Sequence, residues 1–349
     1  MLLEGLFLPV TTPFYLDGRL NLRKLEHNVD RYSKTPVAGL AVLTEHGDAT
    51  LLNDEEAREA LRSAMDASAP EKVMLAGVSR DSVVATLDLA VFAAALGYDA
   101  VIAGVPTMLR GVTGERDKQA VTYFQAVADQ SPLPVVLFSS AAGHLSLEAI
   151  TELAAHPNIL GLVEGDAGRI TAIKAATSFV KRDATVTHVF AAATGRMLAQ
   201  RDTSAGATFI SLDTLTDGAT ALAVAPPKPA LRTRTKAVGF QVLAGSTGTM
   251  LTALREGAAG AMPAFGAAAP QGTYEVLAAW KDGDLPLAEE KQLRVQAAAQ
   301  RIEEEMGSAG IRYGCDLNGY FGGRPRLPLL PVSGEQKAEI ESLMRAIRN

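Results

Sequence analysis

Short apolar runs alternate with amphipathic stretches over the first half of the chain. Leu6 to Thr11 reads as a strand stopped by Thr12-Pro13, and Leu22 to Tyr32 places apolar and charged residues at helical spacing. Val37 to Leu43 is a second apolar run, ending in Thr44-Glu45-His46-Gly47-Asp48. Asn53 then caps a helix whose first turn holds Asp54, Glu55 and Glu56, acids favoured beside the N-terminal dipole. Val73 to Val78, Ala100 to Val105, Pro134 to Phe138 and Ile159 to Val163 are four further runs. The helices between them are Val83 to Leu96, stopped by Gly97; Lys118 to Gln130, with Asp117 placed to cap it; and Leu147 to Ala155, capped by Ser146. Strict alternation of short buried strands with helices predicts a parallel sheet with crossover helices. Six consecutive units without a dinucleotide-binding glycine fingerprint predict a closed barrel over an open sheet.

The regularity then breaks. A helix over Arg169 to Lys181 is followed by strand-like segments at Thr185 to Ala192, Thr203 to Asp213 and Ala219 to Ala225, and by the breaker Pro226 to Pro229. VFAAATGRML (Val189 to Leu198) is echoed by VLAGSTGTML (Val242 to Leu251), and either copy could be the seventh barrel strand. The second is favoured, because it leads through helix Thr249 to Arg255 straight into an eighth strand, Ala259 to Phe265, with short connections. Residues 184–237 then form a β-rich insertion, expected to cover the barrel mouth or to build a subunit interface. From Gly272 the chain reads as helical at Thr273 to Lys281, Leu287 to Met306 and Glu335 to Ile347, with Gly310 to Pro331 between the last two. The expected organisation is α/β: a barrel over 1–270, interrupted by the insertion, and a C-terminal helical domain over 271–349.

Composition narrows the function classes. Acidic and basic residues are interspersed around a net charge of −6, so no basic patch points to nucleic acid. The one cysteine, Cys315, excludes an internal disulfide and fits a reducing cytoplasm. No signal-peptide pattern opens the chain, and no apolar run reaches the roughly 18 residues that would span a membrane.

Barrel chemistry sits at the C-terminal ends of the strands. Glu45, His46, Asp48, His144, Glu164 and Asp166 all fall there, so the mouth reads as acidic with two histidines. Glu45, His46 and Glu164 are the candidate catalytic residues, since a carboxylate can tune a histidine for acid–base work. Thr44, Gly47, Asp48, Thr107, Ser139, Ser140, His144 and Asp166 are candidates for holding a substrate. The same acids and histidines could hold a divalent cation, but no ligand spacing such as HExxH supports it, and neither metal nor cofactor is expected. Ordinary polar loop residues at an open barrel end are the competing account of the whole set.

The order and spacing of PVTTPF with Asp17-Gly18, LLNDEEAREA (Leu51 to Ala60), AGVSRDS (Ala76 to Ser82), HPNILGL (His156 to Leu162) and GYFGGRPRLPLLP (Gly319 to Pro331) resemble the dihydrodipicolinate synthase and N-acetylneuraminate lyase superfamily. The resemblance implies a (β/α)8 TIM barrel with a C-terminal helical domain, a homodimer or homotetramer, and class I aldolase chemistry, in which a lysine on the sixth strand forms a Schiff base with a 2-oxo acid. By the match of LGLVEGD that lysine falls at Val163, which cannot form an imine. The proton-relay tyrosine falls at Phe138, the fourth-strand tyrosine pair at about Thr107 and Met108, and the carboxylate-holding threonine pair at Glu45 and His46. Gly143-His144 occupies the region of the expected arginine. Lys174 and Lys181, on the following helix, read as a solvated face. Three functions follow: a lyase or aldolase-type protein acting on or binding a 2-oxo acid without the lysine; an inactive homologue serving as a binding or regulatory module; and a metal-dependent lyase or hydrolase.

Overall fold

The computed structural model describes residues 1–110, 115–204 and 231–347. Eight parallel strands close into a barrel. They are β1 (Gly5–Pro9), β2 (Gly39–Val42), β3 (Val73–Gly77), β4 (Ala100–Gly104), β5 (Val135–Ser139), β6 (Ile159–Glu164), β9 (Gln241–Ala244) and β10 (Gly260–Ala261). Running round the barrel, β10 joins β1 to β9, and β9 pairs directly with β6. The strand at Val242 is therefore the seventh barrel strand. The intervening β7 (Arg182–Thr187) and β8 (Thr233–Val238) form a separate antiparallel pair.

The outer helices are α1 (Leu22–Ser33), α2 (Asp54–Ala67), α3 (Val83–Leu96), α4 (Arg116–Gln130), α5 (Leu147–Ala154), α6 (Ile170–Ala176) and α8 (Met250–Arg255). Asn53 and Glu56 form the reciprocal cap that starts α2. Two cores result. One fills the barrel itself and includes Phe7, Leu75, Ile102, Val136, Phe138, Val163, Leu243 and Met262. The other lies between the strands and the helices and runs on into the C-terminal helices.

The C-terminal helices are α9 (Pro270–Lys281), α10 (Leu285–Ala299), α11 (Gly307–Leu317) and α12 (Gly334–Met344), with a π-helical turn at Gln300–Glu305 after α10. Two expectations need correction here. The long helix over Leu287 to Met306 ends in that π turn. The supposed connection from Gly310 begins as helix α11, which runs on to Leu317, although its three glycines have poor helix propensity. Packing overrides propensity: a Cβ at Gly314 would lie 2.9 Å from that of Ala268, and Ile311, Arg312 and Cys315 are buried. The helix expected to reach Lys181 stops at Ala176, which leaves Lys181 beside β7.

The described part of the insertion lies away from the mouth. A connection from a helix to the next barrel strand runs at the N-terminal end of the barrel, and the inserted pair docks there. Leu2 packs with Ala184 and Val186. Arg182 donates to the carbonyls of Ala154 and His156 at the end of α5, and also to that of Ile159. Arg196, on α7 (Gly195–Ser204), donates to the carbonyls of Ser68, Ala69 and Lys72 where α2 ends. Each arginine thus satisfies carbonyls that a helix C-terminus leaves open. The expected segment Ala219 to Ala225, the breaker Pro226 to Pro229 and all but the first two residues of Thr203 to Asp213 lie outside the described residues.

Replacing Arg196 by alanine removes several charge-assisted hydrogen bonds from half-buried carbonyls and should cost about 2 kcal/mol of stability. Urea denaturation checks this, and Arg196→Lys should recover only part of the loss, because an ammonium cannot span the same carbonyls.

Candidate functional site

The mouth is built on the C-terminal ends of β2, β4, β5 and β6. Its floor is apolar. Phe138 is paired in register with Val163, and Val163 with Leu243; all three are buried in the inner barrel core. His46 stands above this floor, half-buried, with its ring edge-on to Phe138 at 6.3 Å between centroids. Burial holds its imidazole below the usual histidine range, and the neighbouring Glu45 and Asp48 only partly oppose this. His46 is therefore neutral near pH 7, with one ring nitrogen able to accept a proton.

The acids at the mouth do not form an open negative site, because each catalytic-candidate acid and Asp48 has its own arginine. Glu45 is bonded to Arg110, from the loop after β4. Glu164 pairs with Arg169 at 2.6 Å and accepts the Asp166 backbone N–H at 3.0 Å. Asp48 pairs with Arg312 of α11; both side chains are almost wholly buried. The acidic mouth expected from the sequence is thus neutralised by three arginines. Arg169 lies five residues from Glu164 and could have been paired with it by eye. Arg110 and Arg312 carry no local signal, since the fold alone brings them to Glu45 and Asp48.

The remaining candidates divide. Thr44 is buried, and among the described residues its Oγ1 has no hydrogen-bond partner; the buried Oγ of Ser140 has none among them either. Buried hydroxyls of this kind call for a ligand or water. Ser139 Oγ accepts the Leu145 N–H at 3.3 Å, so it is spent on the β5–α5 loop. The Gly47 carbonyl accepts Thr12 Oγ1 at 2.6 Å. Thr107 is bonded through its N–H and its hydroxyl to Asp81. Asp166 caps the turn at Ala167–Arg169 and is exposed, as is His144. Burial, with Arg169 and Arg116, lowers the His144 imidazole. His46 therefore meets Phe138 over the inner barrel core, while Thr107, His144 and Asp166 lie on the loops around it.

A cavity of about 290 Å³ opens beside this centre, lined among others by Glu45, Ser79, Arg80, Asp81, Thr107 and Arg110. That is the lower end of small-molecule pocket sizes. A Cβ at Gly143 would lie 3.5 Å from Arg110 Nε, so the Arg110 guanidinium reaches the β5 loop at the position where the sequence offers only Gly143-His144. Among the described residues no group of three or more His, Cys, Asp or Glu side chains is placed to hold a metal ion. The metal-dependent reading draws no support from this geometry.

Eight parallel strands closed into a barrel, ringed by helices and followed by a helical C-terminal unit, define a (β/α)8 TIM barrel. The chain belongs to the Dihydrodipicolinate synthetase family: the family profile matches residues 2–188 and 230–347 and passes over most of the insertion. A 4-hydroxy-tetrahydrodipicolinate synthase of Exiguobacterium is 24% identical over 97% of this chain and 96% of its own length. The L-threo-3-deoxy-hexylosonate aldolase of Hypocrea jecorina is 32% identical over 50% of this chain, which spans 58% of that protein's length. Among solved structures, a prophage protein of the dihydrodipicolinic acid synthase family from E. coli K12, in complex with pyruvate, superimposes with a TM-score of 0.74 at 22% identity, covering 99% of both chains. None of the helices among the described residues is long and apolar enough to cross a membrane.

Glu164 gives a test of the electrostatics. Burial, its largest influence, raises the carboxyl above the ordinary range despite the Asp166 N–H and Arg169. The folded state then binds the proton more tightly than the unfolded state, so ionisation costs stability as pH rises from the unfolded value through the raised folded one. Glu164→Gln should lack this loss, and its stability relative to the parent should improve across that window in urea titrations. Glu164→Ala leaves Arg169 unpaired and should cost about 3 kcal/mol at neutral pH.

Proposed function

We propose that this chain is a lysine-independent member of its family, which binds a small 2-oxo acid or related carbonyl compound at the barrel mouth and forms no Schiff base. One observation carries the reading. None of the eight barrel strands, and none of the loops leaving their C-terminal ends, contains a lysine. The amine required for an imine is missing from every element that could present it, and Val163, at the matching position, is packed into an apolar floor. The unpartnered hydroxyls of Thr44 and Ser140 supply donors for ligand oxygens, and Arg110 supplies a cation beside the cavity.

The neutral, half-buried His46 on this floor favours turnover over mere binding. An imidazole with a free nitrogen beside an apolar surface can take a proton from the carbon next to a bound carbonyl, which is the first step of an aldol-type reaction. A 2-oxo acid enolises by this route without a covalent link to the protein.

Incubation with pyruvate and borohydride should leave the protein mass unchanged; a stable adduct would refute the lysine-free reading. Pyruvate at millimolar concentration should raise the melting temperature, and Arg110→Ala should weaken the effect about tenfold in ligand concentration. Deuterium exchange into the pyruvate methyl group, followed by NMR, separates the two levels. Loss of exchange in His46→Asn with the thermal shift retained assigns His46 as the base. A thermal shift with no exchange in the parent protein assigns a binding module.

A further inference from the structure

A second cavity lies at the N-terminal ends of the barrel strands, opposite the mouth. Its walls are the start of the chain, the turns that lead into β2 and β3, helix α9, and the inserted hairpin with α7. It measures about 490 Å³, within the range of small-molecule sites. Leu2, Leu6, Val37, Met197, Tyr274 and Leu277 make the wall largely apolar. The insertion closes one side with the turn over residues 187–191, whose tip presents Val189, 68% exposed, and Phe190, 50% exposed. Phe190 has φ 61°, in the left-handed region, a conformation that strains a bulky aromatic and that glycine or asparagine would adopt more readily. Its N–H donates to the Thr187 carbonyl at 2.9 Å, and the Arg234 guanidinium lies over its ring at 5.4 Å. Strain spent on holding an exposed apolar ring at the edge of a cavity points to a use for that ring.

Charge decides what the cavity takes. Lys72, immediately before β3, is buried in the wall. Its Nζ donates to the carbonyls of Thr35 at 2.8 Å and Val37 at 3.0 Å. An ammonium has three N–H groups, and among the described residues Lys72 has neither a third acceptor nor a carboxylate partner. Burial holds its amine below the ordinary lysine range, against the pull of the adjacent Glu71. Of the acids on the wall, Glu4 is paired with Lys236 of β8, and Glu71 is exposed. A buried cation beside an apolar space is completed by an anion with an apolar body. We propose that the insertion and the barrel base together form a binding site for a small amphipathic carboxylate, its alkyl or aryl body against the apolar wall and its carboxylate on Lys72 Nζ. A heavily hydroxylated acid would leave its hydroxyls unpaired against that wall. The site shares no residue with the cavity at the mouth, so it stands whether or not the mouth binds a 2-oxo acid.

Isothermal titration of the full chain with octanoate tests it. Octanoate should bind at one site per chain, and octanol, similar in body but uncharged, about tenfold more weakly. Hexanoate should also bind about tenfold more weakly than octanoate, because two fewer methylenes are buried. Lys72→Met should bring octanoate down to the level of octanol and leave octanol unchanged. Phe190→Asn, an exposed change that relieves the left-handed strain, should raise the urea midpoint while weakening octanoate about fivefold. A residue that served only the turn would not move binding in this way. Arg110→Ala should leave octanoate binding unchanged. No binding of octanoate at about 1 mM overturns the inference, whether residues 205–230 fill the space or nothing enters it. So does octanol binding as tightly as octanoate, or unchanged octanoate affinity in folded Lys72→Met. If Lys72→Met fails to fold, Phe190→Asn decides, and octanoate affinity equal to the parent's in that variant overturns the inference.

Discussion

The buried Arg312–Asp48 pair is the joint on which the site depends. Arg312 is fully buried, and besides Asp48 it donates to the carbonyls of Thr12 and Gly322. One guanidinium therefore ties α11 to the loops after β1 and β2 and to the segment after α11. Asp48 adopts the left-handed conformation, with φ 56°, immediately after Glu45, His46 and Gly47. The loop that carries His46 is thus set by a residue 264 positions away in the sequence. Removing either partner would leave a buried charge uncompensated, a loss of about 3–5 kcal/mol in comparable pairs. The C-terminal helices are part of the site for this reason, although none of the candidate site residues lies on them.

Charge at the mouth follows the same logic. A ring of bare carboxylates at the end of a barrel would repel an anionic ligand and cost solvation on burial. Arg110, Arg169 and Arg312 remove that obstacle one acid at a time. What remains is an apolar floor, a neutral imidazole and two unspent hydroxyls. Such a centre suits a small polar molecule held by hydrogen bonds over a hydrophobic base, and it suits proton transfer better than nucleophilic attack. Burial keeps the His46 imidazole below the usual histidine range, the condition the proposed proton transfer needs. The described part of the insertion stands apart from this centre. It is fastened under the barrel by Arg182 and Arg196, each bound to carbonyls at the end of an outer helix.

The sequence by itself determined the barrel, because alternating apolar runs and amphipathic helices with caps are local patterns with one economical closure. It also places Val163 and Phe138 at strand ends and puts no lysine on any barrel strand or mouth loop. Only the tertiary structure decided that the acids are neutralised, since Arg110 reaches Glu45, and Arg312 reaches Asp48, across separate elements. It also decided that α11 is a helix and that the described part of the insertion lies under the barrel, because burial against Ala268 in the one case, and the route from α6 to β9 in the other, are set by packing at long range. Hydrophobic period and capping act within a few residues and can be read from the chain, whereas charge pairing and close packing act between residues that are neighbours only after folding.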